Sequence, residues 1–239
     1  MSTQTITVTG PDTNVETFRR IRKSIGVLGV GLPVTLVLLS LIPFFNTRVQ
    51  PSISHYYHTN LRDLFTGVLC AVGLFLLRYK GHKNKQFWKN DSLLTNIAGL
   101  MAFGIALFPT DAFTCEEKVN TLVDRCNGWL GWLHYGFAGI FFLSLATISI
   151  FVFTIGQKKE VSGNDSMLNE NHIYRTCGYL MILFIVLTPV CAHFNCFSYS
   201  TLTFEALMLF AFGTSWLIKG RILGDKGKVG EMLYNEKNP

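Results

Sequence analysis

The sequence predicts an all-α polytopic membrane protein, a bundle of six transmembrane helices with both termini in the cytoplasm. Three observations lead to this fold class. Of the 239 residues, 49% are hydrophobic and only 15% are charged, whereas a soluble domain carries about 25% charged residues. The apolar residues form long blocks of the length that a membrane-spanning helix needs, about 20 residues. Basic residues collect between alternate blocks, as the positive-inside rule describes.

Six apolar blocks qualify as spanning helices. The second and fifth are short unless flanking residues are counted, and the fourth is long enough to tilt. The first contains Pro33 and ends in Pro-Phe-Phe-Asn instead of a small-residue cleavage site, so it is predicted to be a retained helix. A cytoplasmic segment, 1–24, precedes the transmembrane domain, 25–218, and a cytoplasmic tail, 219–239, follows it. The blocks cover residues 25–45, 61–79, 92–110, 129–155, 176–193 and 199–218.

The distribution of basic residues orients these spans. The 21 Lys and Arg residues lie in the N-terminal segment, in two loops, in the tail and at Arg78, with the exception of Arg48, Arg62, Lys118 and Arg125. The two sets of segments alternate along the chain, which places the basic set in the cytoplasm. Because the basic residues lie between apolar blocks, the net charge of +6 indicates topology and not nucleic-acid binding.

Four cysteines fall on the predicted outer side. Cys115 and Cys126 lie between the third and fourth spans, and Cys191 and Cys196 lie at the outer end of the fifth. Disulfides persist in oxidising compartments, so these four residues can form two bridges. A thiol-redox protein is a further alternative, although Cys191-x4-Cys196 is not the Cys-x-x-Cys motif of thiol oxidoreductases.

Ionisable and polar residues also gather on the predicted outer side. Ionisable residues within spans are costly, and each is a candidate for a functional site. The spacing therefore predicts a polar pocket open to the outside. Its ionisable members come from at least five helices or adjoining loops: His55, His58, Asp63, Asp111, His134, His193 and Glu205.

Two kinds of chemistry fit this pocket. In the first, Arg62 meets a lipid phosphate, His55 and Tyr135 contact the ligand, and aromatic residues line the acyl chains. In the second, three imidazoles hold a zinc ion whose open position activates water, and the protein hydrolyses a lipid amide or ester. The metal ligands would be His58, His134 and His193. The catalytic candidates are Asp63 or Asp111 to orient the water, Ser54 to stabilise the developing charge, and Glu205.

Short motifs resemble two membrane protein families. The Ser54-x-x-x-His58 element resembles that of the alkaline ceramidase and adipoQ receptor superfamily, which implies zinc-dependent hydrolysis, although the sixth span here contains no histidine. The Pro-Ser-Ile-Ser stretch 51–54 and the Arg-Asp-Leu-Phe stretch 62–65 resemble the DRAM-type family of autophagy modulators and GPI-lipid remodelling proteins. The chain is more similar still to uncharacterised bacterial six-span membrane proteins. These resemblances imply six spans, membrane lipids as partners and a location in a bacterial inner membrane.

Overall fold

The computed structural model describes residues 11–79, 81, 83–111, 128–155, 170–224 and 233. Every regular element within these ranges is helical, which confirms the all-α part of the predicted fold class. Short 3-10 turns lie at Pro43–Phe45, Ser54–His58 and Phe87–Lys89, and α4 continues into a π-helical turn at Ile148–Val152. The six α-helices are α1 Pro11–Ser40, α2 Arg62–Arg78, α3 Asp91–Leu107, α4 Gly128–Thr147, α5 Glu170–Phe194 and α6 Ser200–Lys219.

Four helical segments in the described ranges are long and apolar enough to cross a membrane. They are Val15–Ser40, Gly128–Val152, Glu170–Phe194 and Ser200–Lys219. Helices α2 and α3 have 17 residues each, which is the lower end of the spanning range. Four of the six predicted spans therefore have the length and apolar composition of a membrane-spanning helix.

Helix α1 begins at Pro11, well before residue 25, where the first apolar block starts. Phe18 and Ile21 pack against the buried core, and Arg20 pairs with Glu16 one turn earlier at 2.6 Å. An apolar face with paired charges on the opposite side sustains a helix without a continuous apolar run. A hydropathy block alone does not detect such an extension.

The helices form a closed ring in which each packs on its neighbour in sequence and α6 packs back on α1. The side chains that fill the ring are large, and they include Phe65, Phe141, Phe212 and Trp216, all of them buried. The chain alternates in direction, so the helix ends fall into two groups. The histidine end contains residues 40–62, 107–111, 128–135 and 193–205. The basic end contains residues 15–23, 78–79, 81, 83–91, 152–155, 170–175 and 216–224.

Glycines allow α1 and α6 to approach closely. A Cβ at Gly26 would lie 2.6 Å from the Leu217 Cγ and 2.8 Å from the Gly213 carbonyl oxygen, and a Cβ at Gly213 would lie 2.7 Å from the Gly26 carbonyl oxygen. Small residues at such crossings bring helices together in membranes, where no hydrophobic drive favours helix association. The closure of the ring therefore depends on this pair.

We expect Gly26→Ala to lower the free energy of unfolding by about 1–3 kcal/mol, since the new methyl group overpacks the crossing. Gly31→Ala in the same helix is the matched control, because a Cβ at Gly31 meets no atom within 4 Å and alanine favours helix. Thermal unfolding of the detergent-solubilised variants measures the difference. Equal effects of the two substitutions would contradict the close approach.

Candidate functional site

A short segment, residues 51–58, enters the histidine end of the ring between α1 and α2. Leu202 of α6 donates its backbone N–H to the Pro51 carbonyl at 2.9 Å. The Tyr56 hydroxyl donates to the Ser40 Oγ of α1 at 3.2 Å, and the Tyr57 hydroxyl donates to the Leu107 carbonyl of α3 at 3.3 Å. Both tyrosines are buried. The 51–58 segment is thus anchored to three helices and closes this end of the ring.

Glu205, predicted as a catalytic candidate, accepts backbone hydrogen bonds from the 51–58 segment. The Ile53 N–H donates to the Glu205 Oε2 at 2.5 Å, and the Ser54 N–H also donates to this carboxylate. These two neighbouring amides begin the 3-10 turn and have no acceptor within it, so they need acceptors elsewhere once they are buried. The carboxylate on α6 supplies them, so its observed role is to hold the turn.

His134 lies at the centre of the site and is 0% exposed. Its Nδ1 lies 2.7 Å from the Phe108 carbonyl oxygen, and its Nε2 lies 3.0 Å from the Ser54 Oγ. A carbonyl oxygen only accepts, so Nδ1 carries the proton of the neutral imidazole and Nε2 accepts from the serine hydroxyl. This serine–histidine pair has the distance and tautomer of a nucleophile beside a general base.

A second chain of hydrogen bonds runs from the buried interior to the surface. The His58 Nε2 lies 3.0 Å from the Thr110 carbonyl oxygen. The Thr110 hydroxyl donates to the Tyr135 Oη at 3.2 Å, and the Tyr135 hydroxyl donates to the Asp111 Oδ2 at 3.4 Å. The Asp111 carboxylate rests against Gly131, where a Cβ would collide with it. The chain therefore ends at an exposed carboxylate on the α3–α4 edge.

His55 is held within its own turn. Its Nδ1 lies 2.6 Å from the Ser52 Oγ, which also accepts the His55 backbone N–H at 3.1 Å. Burial, together with smaller contributions from the nearby His58 and His134, lowers the pKa of His55 from 6.5 to about 4. The imidazole is therefore neutral at pH 7.

Two predicted site residues lie apart from this cluster. Arg62 and Asp63, at the start of α2, pair with each other at 3.4 Å, and the Asp63 side chain is 90% exposed. The Asp63 carboxylate therefore faces away from the buried imidazoles. Arg62 is in position to meet a ligand only from the surface.

The predicted zinc site is not supported. Among the described residues, no group of three or more His, Cys, Asp or Glu side chains is placed to hold a metal ion. The nitrogens of His134 bond to Phe108 and Ser54, so they face hydrogen-bonding partners and not a shared centre. His193 lies on the exposed end of α5, where its ring contacts Phe194 at 5.0 Å between centroids.

The predicted bridges are likewise not found in the described part of the chain. Cys191 and Cys196 are free thiols, joined by a thiol–thiol hydrogen bond and by a backbone hydrogen bond of 3.2 Å at the end of α5. Cys115 and Cys126 lie outside the described residues. The structure therefore does not support a disulfide that includes Cys191 or Cys196.

Sequence reasoning missed a polar network at the basic end. The Arg22 guanidinium of α1 donates to the Tyr79 hydroxyl at 2.6 and 3.1 Å, and Tyr79 hydrogen bonds to the buried Asp91 of α3. Trp216 of α6 packs edge-on against the Tyr79 ring at 5.5 Å. One feature of the sequence indicates this network. Asp91 is an acidic residue at the start of a span, on the side of the bundle that is otherwise rich in Lys and Arg.

The same network continues across α4, α5 and α6. The Lys219 Nζ donates to the Phe153 carbonyl at 2.7 Å and lies 5.3 Å from the centroid of the Tyr174 ring. The Tyr174 hydroxyl donates to the buried Glu170 carboxylate at 3.1 Å. Residues on or directly after each of the six helices therefore contribute to the polar contacts at the basic end.

No protein-family model matches this chain, and no curated protein or solved structure shows significant similarity to it.

We expect the free energy of unfolding to fall as the pH decreases from about 6.5 to about 4. The His55 pKa of about 4 in the folded protein lies below the unperturbed value of about 6.5. The unfolded chain therefore binds more protons in this window, and the stabilisation is complete only above it. His55→Asn should flatten the slope, and the exposed His172→Asn should leave it unchanged. Denaturant titrations in detergent at several pH values measure the slope, and equal slopes in all three proteins would contradict the assignment.

Proposed function

We propose that the chain is a six-span integral membrane protein with both termini in the cytoplasm. Helices α2 and α3 rise about 26 Å each, close to the roughly 30 Å hydrocarbon core. They pack between α1 and α4, each of which contains a segment of spanning length, and this position supports spans for both. The basic end would then face the cytoplasm. The resemblance to bacterial six-span proteins favours the inner membrane.

We further propose that the histidine end binds the headgroup of a membrane lipid or another small amphiphile. The buried half of the polar cluster is occupied by its own hydrogen bonds, so a ligand would meet the exposed edge. One observation carries this proposal: the hydrogen-bonded chain from Thr110 through Tyr135 reaches the surface at Asp111, close to Trp132, which is 79% exposed. The Trp132 and Tyr135 rings are 6.4 Å apart.

The chemistry of this edge selects a class of headgroup. A carboxylate accepts hydrogen bonds from hydroxyl or ammonium groups, and the face of an exposed indole attracts a cation. Tryptophan at a helix end also lies at headgroup depth in a membrane. The best fit is therefore a lipid whose headgroup carries an ammonium or several hydroxyl groups. Of the predicted ligand contacts, Tyr135 lies on this edge, whereas His55 lies within its own turn and Arg62 at the start of α2.

We expect Trp132→Ala and Asp111→Asn each to weaken binding of short-chain phosphatidylethanolamine by about fivefold or more. Phe44→Ala is the matched control. Phe44 is an 87% exposed aromatic residue at the same end of the ring, but it lies in the 3-10 turn after α1. Titration of the detergent-solubilised protein, followed by its thermal shift, gives the affinities. Equal binding by all four proteins would exclude this edge as the site.

The topology has its own test. In a chain freed of native cysteines, a probe cysteine at Lys85 should resist a membrane-impermeant thiol reagent in intact cells. A probe at Lys118 should react, because this position lies in the predicted outer loop. Detergent permeabilisation should expose Lys85 and serves as the control. Reaction at both positions in intact cells would rule out the six-span arrangement.

A metal-free lipid hydrolase is the second candidate, and the Ser54–His134 pair favours it. The Ser54 Oγ would add to an ester or amide carbonyl carbon while the His134 Nε2 takes its proton. The imidazolium would then protonate the departing alcohol or amine, and water would release the acyl group. A fluorophosphonate should label the native protein in the presence of a chelator, and Ser54→Ala should abolish labelling. Absence of labelling in native membranes would remove this candidate.

A further inference from the structure

A cationic groove lies at the basic end, on the surface between α1 and the turn that follows α6. Its cavity volume is about 460 Å³. Arg19, Arg20 and Lys23 line it from α1, and Arg221 lines it from beyond α6. Residues almost the whole chain length apart in sequence therefore converge on one site. The groove is at the opposite end of the ring from the α3–α4 edge and shares no residue with it.

The groove carries a net positive charge. Glu16 is the acidic residue among those that line it, and its carboxylate accepts from the Arg20 guanidinium at 2.6 and 3.2 Å. The lining thus combines four cationic side chains with one anionic side chain. Guanidinium groups present several donors in a plane that matches the oxygens of a phosphate.

Backbone packing fixes the two sides of the groove relative to each other. A Cβ at Gly220 would lie 3.0 Å from the Lys23 backbone nitrogen and 3.2 Å from the Arg19 carbonyl oxygen, so the end of α6 lies directly against α1. Arg221 adopts the left-handed conformation, with φ at 56°, and its carbonyl accepts the Gly224 N–H at 3.1 Å. This turn places Arg221 at the rim, facing the α1 residues.

An apolar stripe continues from the groove along α1. Val27, Val34 and Leu38 follow Lys23 at helical spacing, and they are 55%, 41% and 57% exposed. Residues three and four apart share one face of a helix. Because α1 contains a segment of spanning length, this face is in position to contact acyl chains, and the groove is then at headgroup depth. The site combines a cationic head region with an apolar tail region.

We propose that this groove binds the phosphate headgroup of an anionic membrane lipid, with the acyl chains along the exposed stripe of α1. All ligands that suit the groove share one functional group, a phosphate mono- or diester. The apolar stripe favours a lipid source over a free phosphate. Each basic residue near a membrane surface strengthens attraction to anionic lipid by about fivefold.

The test compares two triple variants of the full-length protein with the same change in net charge. The groove variant carries Arg19→Gln, Lys23→Gln and Arg221→Gln. The control variant carries Lys83→Gln, Lys85→Gln and Arg175→Gln, three exposed positions at the basic end outside the groove. Native mass spectrometry of the detergent-solubilised proteins, titrated with phosphatidylglycerol or phosphatidylcholine, gives the affinities. Circular dichroism confirms that both variants are folded.

We expect the groove variant to bind phosphatidylglycerol at least tenfold more weakly than the native protein, and the control variant to bind within twofold. Binding of phosphatidylcholine should be equal in all three proteins, because its headgroup has no net charge and the α3–α4 edge is the same in each. Inorganic phosphate at 10 mM should not displace phosphatidylglycerol. Equal losses in the two triple variants would overturn the site, since charge alone would then explain binding. Displacement by inorganic phosphate would overturn the lipid assignment. The tenfold loss caused by the groove substitutions should persist in a Trp132→Ala background, which separates this result from ligand binding at the α3–α4 edge.

Discussion

The hydrogen bonds from the Ile53 and Ser54 amides to Glu205 are the interaction on which the histidine end depends. A segment that leaves the α-helix inside a bundle must find acceptors for its N–H groups once they are buried. Glu205 supplies both from the second turn of α6. With the turn held, Tyr56 and Tyr57 fill the end of the ring. Ser54 then comes within 3.0 Å of the His134 Nε2.

The two ends of the ring are closed by different chemistry. Neutral imidazoles, hydroxyls and backbone carbonyls close the histidine end, whereas ion-bearing side chains and aromatic rings close the basic end around Tyr79 and Lys219. Buried polar networks are tolerated when their members are satisfied, and they then fix one arrangement of the surrounding elements. The interior of each network is occupied, so ligand recognition falls to exposed edges. Asp111 and Arg221 mark those edges.

Hydropathy predicted the long helices α4, α5 and α6, because each is a long, nearly uncharged run of apolar residues that apolar content alone identifies. It missed the early start of α1, which rests on Phe18 and Ile21 packing from an amphipathic turn. Topology correctly brought His58, His134 and Glu205 to one end. The zinc prediction was not supported because the Phe108 and Thr110 carbonyls engage the imidazoles, and backbone carbonyls have no sequence signature. The basic-end network was missed because the orientation was predicted from Lys and Arg alone, and the acidic residues Asp91 and Glu170 did not enter that prediction.

Hydrogen exchange of the 51–58 amides in a Glu205→Leu variant tests the central claim most directly. Leucine keeps the apolar volume of the side chain but removes the acceptors. We predict faster exchange at Ile53 and Ser54 in this variant, a smaller increase in Glu205→Gln, whose amide oxygen still accepts, and unchanged exchange in α5. Exchange at 51–58 that is as slow in Glu205→Leu as in the native protein would contradict the account, because the turn would then be held without the carboxylate.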